Sequence, residues 1–155
     1  MALWGARFSR KPTDAVFALS QSVSFDWRLA PYDLRSSLAH LSVLEKASLL
    51  SKDDAAKIRT ALRELLTEVA SGKFAPNSQD EDVHSALERG LTEKLGSLGG
   101  SLRAGRSRND QVTTDLRLFA IDHMLGLAQM LIELNEAILK KASEYVDSPV
   151  KICSL

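Results

Sequence analysis

Residues 105–111 read GRSRNDQ: one glycine, two arginines, then Ser107, Asn109, Asp110 and Gln111, with no apolar side chain among them. Arginine grips a carboxylate or phosphate bidentately. Asparagine offers a donor and an acceptor, and serine a hydroxyl. Gly99, Gly100 and Gly105 would let backbone approach a ligand closely and adopt positive φ. If the run opens a helix, unpaired amides and the positive end of the dipole join these groups. Together they make an anion site. The competing reading is a helix capped by Ser107 or Asn109, with solvated arginines.

A second constellation is DEDVH, residues 80–84. Histidine titrates near neutral pH, and a carboxylate at Asp80 or Asp82 would orient His84. Acidic residues at this point would equally cap a helix. One histidine and no cysteine do not make a zinc cluster, so no metal is expected. SVSFD (22–26) adds Ser22 and Asp26 on an irregular stretch. Arg103, Arg106 and Arg108 fall within six residues. A nucleic-acid surface would interleave aromatics and carry net positive charge. Here Lys+Arg and Asp+Glu balance at 20 each, so no nucleic-acid partner is expected.

The elements that must position these residues are helical. Pro12 to about Gln21 forms a short helical stretch with Val16, Phe17 and Leu19 to bury, and residues 22–31 form a connector. Pro31 suits a first-turn position. The segment after it, to about Leu49, repeats Leu34, Leu38, Leu41 and Leu44 at helical spacing. Ser51 and Asp54 resemble a capping box for a helix burying Ile58, Leu62, Leu65 and Val69, and Gly72 stops it. A polar loop at 74–82 leads to a helix from about Glu81 to Leu95, which GSLGG (96–100) breaks.

From Asn109 to about Val146 no proline occurs and only one glycine, Gly126. That stretch is far longer than the globular mean of roughly 11–12 residues. Its apolar residues cover more than one stripe, so other helices must surround it. At 45% hydrophobic residues, the chain can build a core of one ordinary domain. Asp14, Asp26 and several basic residues interrupt any signal-peptide core near the start, and no apolar run reaches membrane-span length. The only cysteine, Cys153, excludes an internal disulfide, has no local nucleophile motif and suits a reducing, cytoplasmic compartment.

LWGARF (3–8), SFDWRLAPYD (24–33), DEDVHSALER (80–89) and GRSRNDQVTTDLRL (105–118) occur in this order. Together they resemble the argininosuccinate lyases of the aspartase/fumarase superfamily, in their N-terminal portion. Ala6 stands where the family has a second glycine. The resemblance implies an all-α fold with an irregular N-terminal arm. Residues 1–108 would be the N-terminal helical domain with its substrate-binding loop. Residues 109–148 would begin the central long-helix bundle, and 149–155 would be a tail unlike the family.

The activity implied is β-elimination of argininosuccinate to arginine and fumarate, without metal or organic cofactor. Full-length members are homotetramers whose sites form where subunits meet. By likeness to the family, Ser22, Ser107, Arg108 and Asn109 would bind substrate. Asp82, His84 and Arg106 would support them. Members are far longer, and their next block, GYTHLQ, and a later loop with the catalytic serine do not occur here; the chain ends SEYVDSPVKICSL. His40 and His123 lie outside every matched motif and do not replace the missing histidine. No catalytic acid or base is therefore assigned, and residues 1–155 alone are expected to be inactive. The rival expectation is a non-catalytic helical assembly module of the same superfamily.

Overall fold

The structure, a computed structural model, describes residues 13–149. LWGARF and the VKICSL ending lie outside them. Among the described residues all regular structure is helical, with no strand. The elements are α1 (Asp14–Ser20), α2 (Val23–Asp26), a 3-10 turn (Trp27–Leu29), α3 (Ala30–Lys46), α4 (Lys52–Ala70), α5 (Val83–Leu95), a 3-10 stretch (Gly96–Arg103) and α6 (Arg108–Glu144). The chain divides into two compact units at Leu118/Phe119.

In the first unit, α3, α4 and α5 pack around Leu34, Leu41, Leu44, Ile58, Leu62, Leu65 and Val83. With Leu38, Leu87 and Leu91 these residues recur every three or four positions, so each helix turns one stripe inward. Pro31 sits in the first turn of α3, where its missing N–H costs nothing. Ser51 Oγ accepts from the amide of Asp54 and donates to its carboxylate, making half of the expected box. After α4, Gly72 takes φ +71° and donates to the Val69 carbonyl, while Lys73 donates to that of Glu68. That is a Schellman stop, which positive φ reserves largely for glycine.

Several expected boundaries move. The 22–31 connector is helical: the amides of Phe25 and Asp26 both return to the Ser22 carbonyl, and the turns run straight into α3. The short α1 buries nothing, leaving Val16 and Leu19 57% and 89% exposed. Trp27 and Leu29 from the next turn pack on the core instead. The GSLGG break is a 3-10 stretch opened by Gly96 at φ +60°. Gly99 does not spare room for a ligand there. A Cβ on it would lie 2.8 Å from the Leu91 carbonyl oxygen, so its close approach is to the backbone of α5. Gly100 has open space, and only Gly105 of the three expected glycines takes positive φ, at +65°.

In the second unit, Met124, Leu125, Leu127, Leu131, Leu134 and Ile138 are each more than half exposed. No helix among the described residues is long and apolar enough to cross a membrane.

Candidate functional site

The basic loop is pinned at both ends by its arginines. Arg106 donates through Nη1 to Ser37 Oγ at 2.8 Å and through Nη2 to Ser36 Oγ at 2.7 Å. Arg108, in the first turn of α6, donates to both oxygens of Asp82 at 2.7 and 2.5 Å. The reading of solvated arginines is thereby corrected: each guanidinium finds fixed acceptors on another helix. Between them Ser107 is exposed, and its carbonyl receives the amide of Gln111. Asn109 is exposed in the first turn of α6.

The DED segment is where the second motif meets the loop. Asp82 caps α5 by accepting from the Ser85 amide at 2.7 Å, while Ser85 Oγ receives the Asp82 amide in a reciprocal box. The position is set by sequence: Asp82 and Ser85 stand three apart at the head of the apolar repeat Val83, Ala86 and Leu87. Burial works to raise the Asp82 pKa, but the Ser85 amide and the Arg108 charge hold its carboxyl below the ordinary value. Ser22 joins this corner from the other side. Its amide donates to the Glu81 carbonyl, and its hydroxyl donates to Asp26 Oδ2 at 2.6 Å. Asp26 Oδ1 in turn accepts the Val83 amide at the start of α5. Ser22, Asp26, Asp82, His84 and Arg108 are thus joined by hydrogen bonds or adjacency at one helix end.

His84 is not oriented by Asp80 or Asp82, as the sequence suggested. Its Nδ1 donates to Asp33 Oδ2, on α3. Asp80 instead pairs with Arg89 at 2.8 Å and receives the Asn77 amide, closing the loop before α5. Arg89 also stacks over Phe74. Asp82 is occupied by its cap and by Arg108. The orienting carboxylate comes from 51 residues earlier, inside the APYD end of the matched segment.

Around His84 lies a buried polar cluster that sequence reasoning missed. Asp33 accepts from His84, from Ser37 Oγ at 3.0 Å and from Gln111 Nε2, 2.9 Å from each oxygen. Burial acts to raise its pKa, yet hydrogen bonds and attraction from His84, with those of Gln111 and Ser37, bring it below the ordinary value. Asp115, on α6, has no exposed surface. Its Oδ1 lies 2.6 Å from Ser36 Oγ, and its Oδ2 lies 4.0 Å from His84 Nδ1. Burial first, and the neighbouring Asp33 charge second, push the Asp115 pKa up to about 6. Asp33, Ser36, Ser37 and Asp115 stood in the quoted motifs or beside them. For Asp33 and Ser37 the signal was a polar residue on the apolar face: Asp33, Ser37 and Leu41 lie four apart on α3.

Asp33, His84 and Asp115 bring potential ligand atoms within 4.8 Å of one another. The donor set does not suit an ion. Both oxygens of Asp33 already accept N–H or O–H groups, which an ion would have to displace. A pocket opens beside this cluster, lined by Asp33, His84, Glu88, Arg106, Arg108 and Gln111. With Nδ1 held by Asp33, Nε2 is the imidazole nitrogen left for a ligand. The pocket offers a ligand two arginines and an oriented histidine. His40 contributes nothing to it; its Nε2 meets the Ala104 carbonyl at 3.0 Å. His123, in the second unit, stacks on Phe119.

Comparison with known proteins agrees with the motifs. The chain is 56% identical over 149 residues to the argininosuccinate lyase of Frankia casuarinae, covering 96% of this chain and 32% of that protein. It is 54% identical to the argininosuccinate lyase of Acidothermus cellulolyticus (95% and 30% covered) and 50% identical to that of Streptomyces griseus (94% and 31%). The chain therefore spans about a third of the length of these relatives. A family model described as Lyase matches residues 7–151, and the chain belongs to this lyase family.

Proposed function

We propose that this chain is the substrate-gripping portion of an argininosuccinate lyase, which splits argininosuccinate into arginine and fumarate. The observation carrying the proposal is the junction of Ser22, just ahead of one matched segment, with Asp82 and His84 from a second and Arg108 from a third, all meeting at one helix end. In β-elimination a base removes a proton from carbon next to a carboxylate. The resulting carbanion spreads its charge into that carboxylate. Donors must hold the carboxylates most tightly when that charge develops. Ser107, Arg108, Asn109 and Ser22 are the donors assigned, with Asp82 and Arg106 holding the loop and Asp33-bound His84 lining the pocket.

The acid and base of the reaction are assigned to sequence that these 155 residues do not contain, and the compartment to the cytoplasm. The exposed apolar residues of the second unit support assembly into a homotetramer. They support equally a second reading, a non-catalytic helical assembly module. Fusing residues 1–149 to the remaining two-thirds of the Frankia casuarinae enzyme separates the two. Fumarate release from argininosuccinate by the chimera, and none by the chain alone, is the expected result. An assembled but inactive chimera, beside an active parent, contradicts the enzymatic reading.

A further inference from the structure

Asp115 is used by nothing in the elimination as proposed, yet it is among the most thoroughly buried side chains of the chain. Its Oδ2 has no hydrogen-bond partner among the described residues. A carboxylate in that state would hold an uncompensated charge oxygen out of water, which is costly. The groups facing Asp115 are Asp33 and Ser36 from α3, His84 from α5 and Arg106 from the loop.

Counting protons points to a different state. Ser36 Oγ stands within hydrogen-bond distance of three groups: Arg106 Nη2 at 2.7 Å, the Asp33 carbonyl at 3.0 Å and Asp115 Oδ1 at 2.6 Å. A serine hydroxyl has one proton to give and two lone pairs to receive. Arg106 must donate, and the Asp33 carbonyl must accept. If Asp115 were ionised, the single serine proton would serve two acceptors. If Asp115 Oδ1 carries a proton, it donates to Ser36, Ser36 donates to the carbonyl, and Arg106 fills the second lone pair. All three contacts are then satisfied. Oδ2 becomes a neutral carbonyl oxygen, which tolerates isolation far better than a charged one.

We propose that Asp115 is a neutral acid in the folded chain, whose proton keeps Arg106 seated on Ser36 and Ser37 and leaves that cation for an anionic ligand. Asp115 is then a positioning residue, acting through Ser36 and Arg106. Ionising it would place a second carboxylate beside Asp33 and draw Arg106 inward as counter-ion. The consequence for ligand binding rests on the loop being the anion grip proposed above; the protonation state does not. The upward displacement of the Asp115 pKa to about 6 agrees with the geometry.

The test uses the 155-residue chain with 13C-labelled aspartate carboxyls and labelled arginine side chains, followed by NMR as pH is varied. One carboxyl is expected to titrate far above the others, near the value of about 6, and to vanish in Asp115→Asn. The Arg106 side-chain signals are expected to move with the same midpoint in the parent and to stay still in Asp115→Asn. Above that midpoint Asp115→Asn should match or exceed the parent in denaturant resistance, whereas Asp115→Ala should fall below it. Only ordinary carboxyl titrations, an Arg106 indifferent to pH, or an Asn variant as weak as the Ala variant would each overturn the proposal. No ligand or catalysis enters these measurements, so their failure is distinct from failure of the lyase chimera.

Discussion

Arg108 reaches across 26 residues of sequence to place one guanidinium nitrogen between both oxygens of Asp82, the residue that caps α5. One carboxylate thereby both starts a helix and holds the first turn of another. The Ser22–Asp26 pair, tied to Glu81 and Val83, fastens a third segment to the same spot. The two substitutions that dissect this joint should have different sizes. Asp82→Asn keeps a side-chain cap and loses the charge pair, whereas Asp82→Ala loses both. Removing the cap costs about 1 kcal/mol, and a part-exposed ion pair contributes at most about 1 kcal/mol more. Urea unfolding of the two variants and of Arg108→Ala should therefore rank Asp82→Ala lowest. Equal losses for Asn and Ala would show that the cap is not used.

The buried acids divide in sign. Asp33 and Asp82 sit below the ordinary carboxylate value of 3.8, so their stabilisation is complete above that value and lost as pH falls through their lowered folded values. Asp115 is raised, so its contribution is complete below 3.8 and lost as pH rises through about 6. A shift of this size corresponds to roughly 3 kcal/mol at 1.36 kcal/mol per unit. The denaturation midpoint should thus decline between about pH 4 and 6 in the parent on account of Asp115, an extra slope that Asp115→Asn removes. Acid unfolding at lower pH should remain in both. A parent and variant with parallel profiles across this window would contradict the assignment.

Much of this arrangement is legible in the residue order, and the limits are physical. Leucine spacing locates α3 to α5, because a 3.6-residue repeat speaks for itself within one helix. Asp82 announces its cap through Ser85 and Val83. The partner of His84 does not announce itself, since Asp33 and His84 meet only when α3 packs on α5. Proximity in sequence points to the nearest carboxylates, Asp80 and Asp82, which the fold pairs with Arg89 and Arg108. Segment 22–31 reads as a connector for a related reason: its short turns show no apolar repeat of their own and become helical by running directly into α3. Asp115, about two turns into the long α6, has no local mark of burial at all.

Gly99 tests whether the 3-10 stretch is fixed by contact with α5. Its missing Cβ would press on the Leu91 carbonyl oxygen and carbon at 2.8 and 2.9 Å and on the Thr92 amide at 3.0 Å, all backbone atoms that cannot swing aside. Gly99→Ala should destabilise by about 1–3 kcal/mol, as overpacking usually does. Gly100→Ala, with nothing within 4 Å, should be close to neutral in the same thermal melt. The reverse order would place the close contact elsewhere.

The second unit makes a prediction of association. Leu127, Leu131, Leu134 and Ile138 expose half or more of their surface to water, at spacings of three and four along α6. Light scattering of the purified chain should show species larger than a monomer, shrinking when Leu127 and Leu134 are both replaced by Glu. A parent that stays monomeric at high concentration would argue that this face needs no partner.

Asn109 gives the most direct test that the loop grips a substrate rather than only opening α6. It is exposed, so replacing it should leave the fold unchanged. In the chimera with the Frankia casuarinae enzyme, Asn109→Ala should lower kcat/KM for fumarate release by about 10²-fold, the usual effect of losing one donor to a developing oxyanion. Its denaturation midpoint should match that of the unsubstituted chimera. Undiminished fumarate release from a variant that is equally stable would contradict the account.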